Sequence, residues 1–182
     1  MRLIWTLFYL SQGVVQIFLS LFIAVTLVYF SSKIFRKLIT GINETEELKK
    51  NNVAVAILNG SIILALILVI KKSIESAVTI FGNTLRNPDT VFLNYLESGL
   101  IMIGHIMLGG IIAFSAIYVA LQIFIRLTKD LDELKEIKEN NTAVGILLGI
   151  IIISMALLLQ PGLDAILNSL IPFPPVSLID IG

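Results

Sequence analysis

The chain lacks cysteine, has a single histidine and carries few charges. The absence of cysteine excludes disulfides, thiolate metal sites and a cysteine nucleophile. Only 14% of the 182 residues are charged and 57% are hydrophobic, against about 25% and about 45 to 50% in soluble domains. The formal net charge is zero, so no global field of one sign favours nucleic acid as a partner. This composition predicts an integral membrane protein whose surroundings are the lipid bilayer.

Long apolar stretches occur four times along the chain. A bilayer core about 30 Å thick is crossed by about 20 helical residues. Stretches that meet or nearly meet this length are Gly13 to Phe30, Val53 to Ile70, Gly99 to Ile125 and Thr142 to Leu159. Unpaired strand edges are not tolerated in lipid and the alternating pattern of a barrel is missing, so these stretches are predicted to be helices. The predicted fold class is an all-α integral membrane protein with four transmembrane helices.

Basic residues are distributed unevenly between the two sides of these helices. The segments Ser31 to Asn52 and Arg126 to Asn141, here called the hairpins, carry nine lysines and arginines, whereas the other side carries four. The positive-inside rule therefore predicts a cytoplasmic membrane protein whose hairpins face the cytoplasm and whose two termini lie outside.

The sequence repeats itself after eighty-nine residues. KKNNVAVAILNG, beginning at Lys49, is matched by KENNTAVGILLG, beginning at Lys138. Two tandem repeats are therefore predicted, residues 1–88 and 89–182. Each contains two membrane helices, a hairpin with a short helix and an external amphipathic segment, and a proline-rich tail ends the second repeat. Because each unit crosses the membrane an even number of times, the repeats are expected to be parallel.

These residues resemble a known family. Two repeats, each with a polar segment ending in asparagine, an alanine- and valine-rich start and a following glycine, are similar to the bacterial and archaeal inner-membrane family catalogued as domain of unknown function 350. The resemblance covers Tyr9 to about Leu159. It implies four membrane helices in tandem repeats and implies no activity or substrate. Family members often carry glycine before the asparagine, whereas this chain has Asn51 and Asn140 there.

Asparagine pairs stand at the start of the second crossing of each repeat. Asn52 and Asn141 each precede an apolar run, where the side chain can accept hydrogen bonds from the free amides of the first helical turn. Both are therefore predicted to cap a helix. The alternative is that the amides of Asn51, Asn52, Asn140 and Asn141 line a cytoplasmic mouth.

Small residues recur four positions apart in each predicted crossing. In lipid, such pairs let two helix backbones approach closely. They are therefore predicted to be helix-packing faces: Ser20 with Ala24, Ala56 with Gly60, Gly109 with Ala113, and Gly145 with Gly149.

Polar residues inside the predicted crossings are mostly uncharged. His105 lies in the third crossing, where it is either a functional group or a neutral imidazole bonded to a neighbouring helix. Its matched position in the first repeat is Gln16, and Asn59 lies in the second crossing. The hairpin glutamates are interleaved with lysines and are predicted to form a solvated face rather than a metal site: Glu44, Glu47, Glu133 and Glu136.

The sequence predicts no catalytic, cofactor or metal site. The crossings contain no well-placed pair of acids, and no serine and lysine have a spacing that signals catalysis. The leading hypothesis is a non-enzymatic, homo-oligomeric membrane component. Two alternatives remain open: a channel or pore for small ions or solutes, and an accessory subunit that docks a protein partner through the hairpins.

Overall fold

The computed structural model describes residues 2–86, 91–127 and 132–170, and these residues form six helices and no strand. Two short helices lie in the hairpins, α2 (Glu44–Lys49) and α5 (Glu133–Lys138). The four long helices are α1 (Arg2–Leu38), α3 (Val53–Arg86), α4 (Phe92–Leu127) and α6 (Thr142–Leu170). All four are long and apolar enough to cross a membrane, which confirms the predicted all-α class with four candidate spans.

The long helices extend beyond the predicted crossings. The apolar run of α3 ends at Ile70, but the helix continues through Lys71 to Arg86. Lysine is a good helix former, so charge ends the apolar run without ending the helix. The stretch predicted to be a separate external amphipathic segment is thus the last part of α3, and α6 likewise continues past Leu159 to Leu170. Residues 171–182, with the proline-rich tail, lie outside the described residues.

The central helix of the bundle is α3, which packs against α1, α4 and α6. Its buried residues occupy more than one face: Ala54, Val55, Leu58, Ile62, Ala65, Leu66 and Val69. A helix that is apolar on several faces is typical of such a central position. By contrast, no residue in the apolar part of α1, Leu10–Tyr29, is buried. The core therefore lies around α3, and α1 is peripheral.

Close contacts fix the directions of the helices. Gly145 of α6 lies against Ala54 near the start of α3, and Gln160 Nε2 donates to the carbonyl oxygen of Leu68 over 2.9 Å further along. The helices α3 and α6 are therefore parallel. Gln122 Nε2 of α4 donates to the carbonyl oxygen of residue 38, the last of α1, over 3.4 Å. The bundle thus has a hairpin end, where α1 and α4 finish and α3 and α6 begin, and an opposite end.

Candidate functional site

The short helix α2 ends in a Schellman motif at the hairpin end. The backbone amide of Asn51 donates to the carbonyl oxygen of Leu48, and that of Asn52 donates to the carbonyl oxygen of Glu47, both over 3.0 Å. Asn51 has a φ of 59°, the left-handed conformation that this motif needs directly after the helix. Asparagine adopts that conformation more readily than most residues with a side chain. Asn51 therefore takes the conformational role that glycine often has.

The helix α5 ends in the same turn eighty-nine positions later. The amide of Asn140 donates to the carbonyl oxygen of Ile137 over 3.1 Å, and that of Asn141 donates to the carbonyl oxygen of Glu136 over 2.9 Å. The φ of Asn140 is 64°. Both hairpins thus use asparagine at a position that suits glycine, with the same backbone conformation.

We expect Asn51→Gly to change the free energy of unfolding by less than about 0.5 kcal/mol, because glycine adopts a positive φ without strain. Asn51→Ala should lower it by about 1 to 2 kcal/mol, the cost of the left-handed conformation for a residue with a Cβ. Asn140→Gly should cost more than Asn51→Gly, because Asn140 Oδ1 also accepts from the amide of Ala54 over 3.1 Å. Thermal unfolding of the three variants in detergent tests this order. A loss in Asn51→Gly as large as that in Asn51→Ala would contradict it.

The next residue in each hairpin caps the long helix that follows. Asn52 Oδ1 accepts from the amide of Val55 over 3.0 Å, and Asn141 Oδ1 accepts from the amide of Val144 over 3.3 Å. In each case the donor lies three residues after the asparagine, which is the amide that an N-cap side chain satisfies. Asn52 and Asn141 therefore occupy N-cap positions of α3 and α6.

A glutamate holds the amide group of each capping asparagine. Asn52 Nδ2 donates to Glu47 Oε2 over 3.1 Å, and Asn141 Nδ2 donates to Glu136 Oε2 over 2.7 Å. Lys50 Nζ lies 2.8 Å from Glu47 Oε1 and adds an ion pair in the first hairpin. In both hairpins, then, a carboxylate on the short helix fixes the start of the long helix.

Of the four hairpin glutamates predicted to form a solvated face, three are buried. The exposed fraction is 4% for Glu44, 6% for Glu47 and 4% for Glu133, so the prediction of a solvated acidic face is wrong for these three. The i, i+3 spacing of Glu44 and Glu47 puts both on one face of α2, and this face turns inward. Glu44 Oε1 accepts from Asn59 Nδ2 of α3 over 3.0 Å. The partner of this acid is therefore a side chain of a candidate span.

Hydrogen bonds shift the protonation equilibria of Glu47 and Lys50. Those from Lys50 and from Asn52 lower the pKa of Glu47 below its ordinary value of 4.5. The hydrogen bond to Glu47 raises the pKa of Lys50 above its ordinary value of 10.5. A lowered pKa in the folded state means that Glu47 stabilises the fold above pH 4.5 and that this contribution is lost as the pH falls through the lowered value. The contribution of Lys50 is complete below pH 10.5 and is lost as the pH rises through the raised value.

We therefore expect the difference in unfolding temperature between the wild type and Glu47→Gln to be constant from about pH 5 to about pH 10. The difference should shrink as the pH falls below 4.5, because protonation then removes the same contacts in the wild type. Thermal unfolding of both proteins across this range is the measurement. A difference that persists unchanged at about pH 2 would show that the Glu47 carboxylate does not contribute as a charged acceptor.

The two hairpins contact one another through asparagines. Asn52 Nδ2 lies 3.0 Å from the carbonyl oxygen of Ile137 and 3.2 Å from that of Lys138. In the other direction, Asn140 Oδ1 accepts from the amide of Ala54. These contacts place the turn after α5 on the start of α3. They also explain why Asn52 is only 3% exposed.

The small-residue face of α6 packs directly on α3. A Cβ at Gly145 would lie 2.9 Å from Ala54 Cα and 3.0 Å from the oxygen of Ala54. At Gly149 a Cβ would overlap the side chain of Ser61. Backbone meets backbone at the first of these contacts, so the approach of α6 to α3 depends on glycine.

The matching face of α3 is uncovered. Ala56 and Gly60 stand eighty-nine positions before Gly145 and Gly149, yet both are exposed. Within the described ranges, no atom lies within 4 Å of a Cβ built on Gly60. None of the described helices of the same chain therefore covers this predicted packing face.

The small-residue faces of α4 and α1 also differ in burial. Gly109 and Ala113 of α4 are buried, and Gly109 lies against Ser73 of α3. Ser20 and Ala24 of α1 are half-buried, in keeping with the peripheral position of α1.

The polar residues of the candidate spans lie in different surroundings. His105 is fully buried, but neither of its ring nitrogens has a hydrogen-bond partner among the described residues, so the expected bond to a neighbouring helix is not found there. Gln16 of α1 is half-buried. Asn59 is 8% exposed and bonds to Glu44. Across the described ranges, no group of three or more histidines and acids is placed to hold a metal ion.

Comparison with known proteins gives one family match. The family model described as Domain of Unknown Function (DUF350) matches residues 9–163, which include both hairpins and most of each long helix. The comparisons with curated proteins and with solved structures found no match.

Proposed function

Since the chain belongs to the family described as Domain of Unknown Function (DUF350), which brings no activity with it, we propose from the geometry that it is a non-enzymatic, homo-oligomeric component of the cytoplasmic membrane. Two tandem repeats form the protomer, and the hairpins face the cytoplasm. This orientation rests on the excess of basic residues in the hairpins, which is the feature that sets membrane topology.

The observation that carries the proposal is the unequal use of two matched faces. Gly145 and Gly149 bring α6 into backbone contact with α3, whereas Ala56 and Gly60 present the same kind of surface to the outside of the protomer. In lipid, helices associate through close packing of small residues rather than through apolar burial. A small-residue face on the central helix is therefore suited to another helix.

The occupant that fits this face is α3 of a second copy. Most oligomers of identical chains contain a twofold axis, which brings the same surface of each copy together. Ala56 and Gly60 are four positions apart, the spacing at which two identical helices cross closely. Exposed apolar side chains on either side, Val53 at 48% and Leu64 at 45%, extend the surface along α3.

A structural rather than a catalytic role is supported by the use of the hairpin carboxylates. Three of them are engaged by asparagines that begin or line the long helices. These pairs are Glu44 with Asn59, Glu47 with Asn52, and Glu136 with Asn141.

The proposed interface is tested by disulfide crosslinking in the membrane. The chain has no cysteine, so Ala56→Cys introduces the only thiol, and any disulfide must join two copies. We expect oxidation to convert this variant largely to a covalent dimer, because a close α3–α3 crossing brings the two Cα atoms within about 7 Å. The matched control is Ile146→Cys, which lies at a similar depth on α6 and is 47% exposed. Absence of the dimer at residue 56, or equal crosslinking at residue 146, would contradict the interface.

A second candidate function is a pore for small ions or solutes, favoured by Asn59. Its Oδ1 is buried with no hydrogen-bond partner among the described residues, and its Nδ2 reaches the buried carboxylate of Glu44. Polar groups of this kind inside a membrane protein often mark an ion path. The test is ion flux into liposomes. Equal flux with wild type, with Asn59→Leu and without protein would remove this candidate.

A further inference from the structure

Two buried polar side chains at the α3–α4 interface have no part in the proposed function. His105 of α4 and Ser73 of α3 are both 0% exposed. Three of their polar atoms, His105 Nδ1, His105 Nε2 and Ser73 Oγ, have no hydrogen-bond partner among the described residues. Buried polar groups in proteins are ordinarily paired with protein atoms or with ordered water. Three unpaired atoms at one helix interface therefore point to a ligand that can both donate and accept hydrogen bonds.

Gly109 brings the Ser73 side chain close to α4, one helical turn from His105. The side chain of Ser73 lies against Gly109, where a Cβ would overlap Ser73 Oγ. Gly109 is four residues after His105 and therefore lies on the same face of α4, one turn away. The hydroxyl of Ser73 thus meets α4 next to the turn that carries the imidazole.

Ser73 lies near a polar boundary at the opposite end of the bundle. Ser73 directly follows Lys71 and Lys72, which end the apolar run of α3. Both lysines pair with Glu75, at 3.6 and 3.3 Å, and all three side chains are at least 36% exposed. Charged groups that meet solvent therefore stand within one helical turn of Ser73.

The position of His105 along α4 agrees with this boundary. Arg126 stands in the last turn of α4 at the hairpin end. The helix between Arg126 and His105 is about 30 Å long at about 1.5 Å per residue, which is the thickness of a bilayer core. His105 is therefore expected at the far edge of the hydrocarbon region, within reach of water from that side.

We propose that Ser73 and His105 form a binding site for water beside Gly109, at the opposite end of the bundle. A neutral imidazole offers one donor and one acceptor, and a hydroxyl offers both. One or two water molecules, which make two to four hydrogen bonds each, can pair all three atoms. Glycine at position 109 lets the Ser73 hydroxyl approach α4 closely, since a Cβ there would overlap the Ser73 side chain. The site keeps the imidazole in proton exchange with bulk water although it is fully buried.

Solid-state NMR tests this site with a single reporter. His105 is the only histidine, so protein with isotope-labelled histidine in lipid bilayers gives ring signals from this residue alone. We expect magnetisation from water protons to reach the His105 ring in the wild type. Ser73→Ala should reduce the transfer by about half, because it removes one of the polar partners of the bound water. Gly109→Ala should reduce it as well, because its Cβ would overlap the Ser73 side chain and displace the hydroxyl.

The matched control is Gly110→Ala. A Cβ at Gly110 has no described atom within 4 Å, so the transfer should equal that of the wild type. Ser73→Ala removes the hydroxyl oxygen and adds no heavy atom. If Gly109→Ala disturbs packing, the result for Ser73→Ala still decides the test. Absence of transfer from water to the ring in the wild type would overturn the proposal. Equal transfer in the wild type and Ser73→Ala would overturn it too.

Discussion

Gly145→Ala is expected to lower the free energy of unfolding by about 1 to 3 kcal/mol, the range for overpacking a well-packed interior. The added Cβ would stand 2.9 Å from Ala54 Cα and 3.0 Å from the Ala54 oxygen. These are backbone atoms, so no rotation of a side chain relieves the contact. The two helices must move apart and lose part of their close packing.

The matched control for this variant is Gly60→Ala. Gly60 lies on α3, the helix that matches α6 in sequence, but a Cβ there has no described atom within 4 Å. Alanine is a better helix former than glycine by about 1 kcal/mol, so the free energy of unfolding of one chain should stay the same or rise. Thermal unfolding of both variants at high detergent concentration, where chains are separated, is the measurement. Equal destabilisation of the two variants would contradict the packing of α6 on α3.

Asn52→Ala is expected to lower the free energy of unfolding by about 2 to 4 kcal/mol. Loss of the N-cap bond to Val55 accounts for about 1 kcal/mol. Loss of the Nδ2 donor leaves buried acceptors in Glu47 and in the α5 turn, which adds about 1 to 3 kcal/mol. Because Nδ2 contacts the carbonyl oxygens of Ile137 and Lys138, the change also loosens the contact between the hairpins.

Asn141→Ala should cost less, about 1 to 2 kcal/mol, because it loses only a longer cap bond and one hydrogen bond to a half-buried glutamate. Asn52→Ser separates the two contributions, since its neutral hydroxyl keeps an oxygen acceptor for the cap but is too short to replace the Nδ2 donor. Thermal unfolding of the three variants should rank Asn52→Ala as the least stable. Equal losses in Asn52→Ala and Asn141→Ala would show that the contacts between hairpins contribute nothing.

The crossings and the positions of the caps were predictable because each depends on local sequence. Apolar runs of sufficient length mark the spans, and an asparagine directly before such a run is a capping signal. The duplicated phrase also located both turns. The left-handed conformation of Asn51 and Asn140 could be suspected from the residue type, since asparagine adopts it more readily than most residues with a side chain.

The burial of the glutamates could not be predicted from composition. Lysines interleaved with acids indicate a solvated face, but the i, i+3 spacing of Glu44 and Glu47 turns the acids to one side of α2. Their partners, Asn59 and Asn52, stand fifteen and five residues away, and only the folded chain brings the first of them close. Similarly, Lys71 ends the apolar run in the sequence, but only the structure shows that α3 continues past it to Arg86.

The sequence also could not predict that the matched small-residue faces of α3 and α6 pack differently. Spacing shows that Ala56 and Gly60 form a small-residue face as Gly145 and Gly149 do, but it does not show which helix covers each face. Because α3 is the central helix and α6 is one of its neighbours, matched positions in α3 and α6 have different surroundings. The uncovered face is what leads to the proposal of self-association.

Self-association is the central claim, and native mass spectrometry of the wild-type protein released from lipid bilayers tests it most directly. A species of at least twice the 20.0 kDa of one chain is expected, and its population should fall in Gly60→Leu, whose side chain blocks close approach of two α3 helices. A wild-type spectrum that contains only the 20.0 kDa chain, under conditions that preserve bound lipid, would contradict the account.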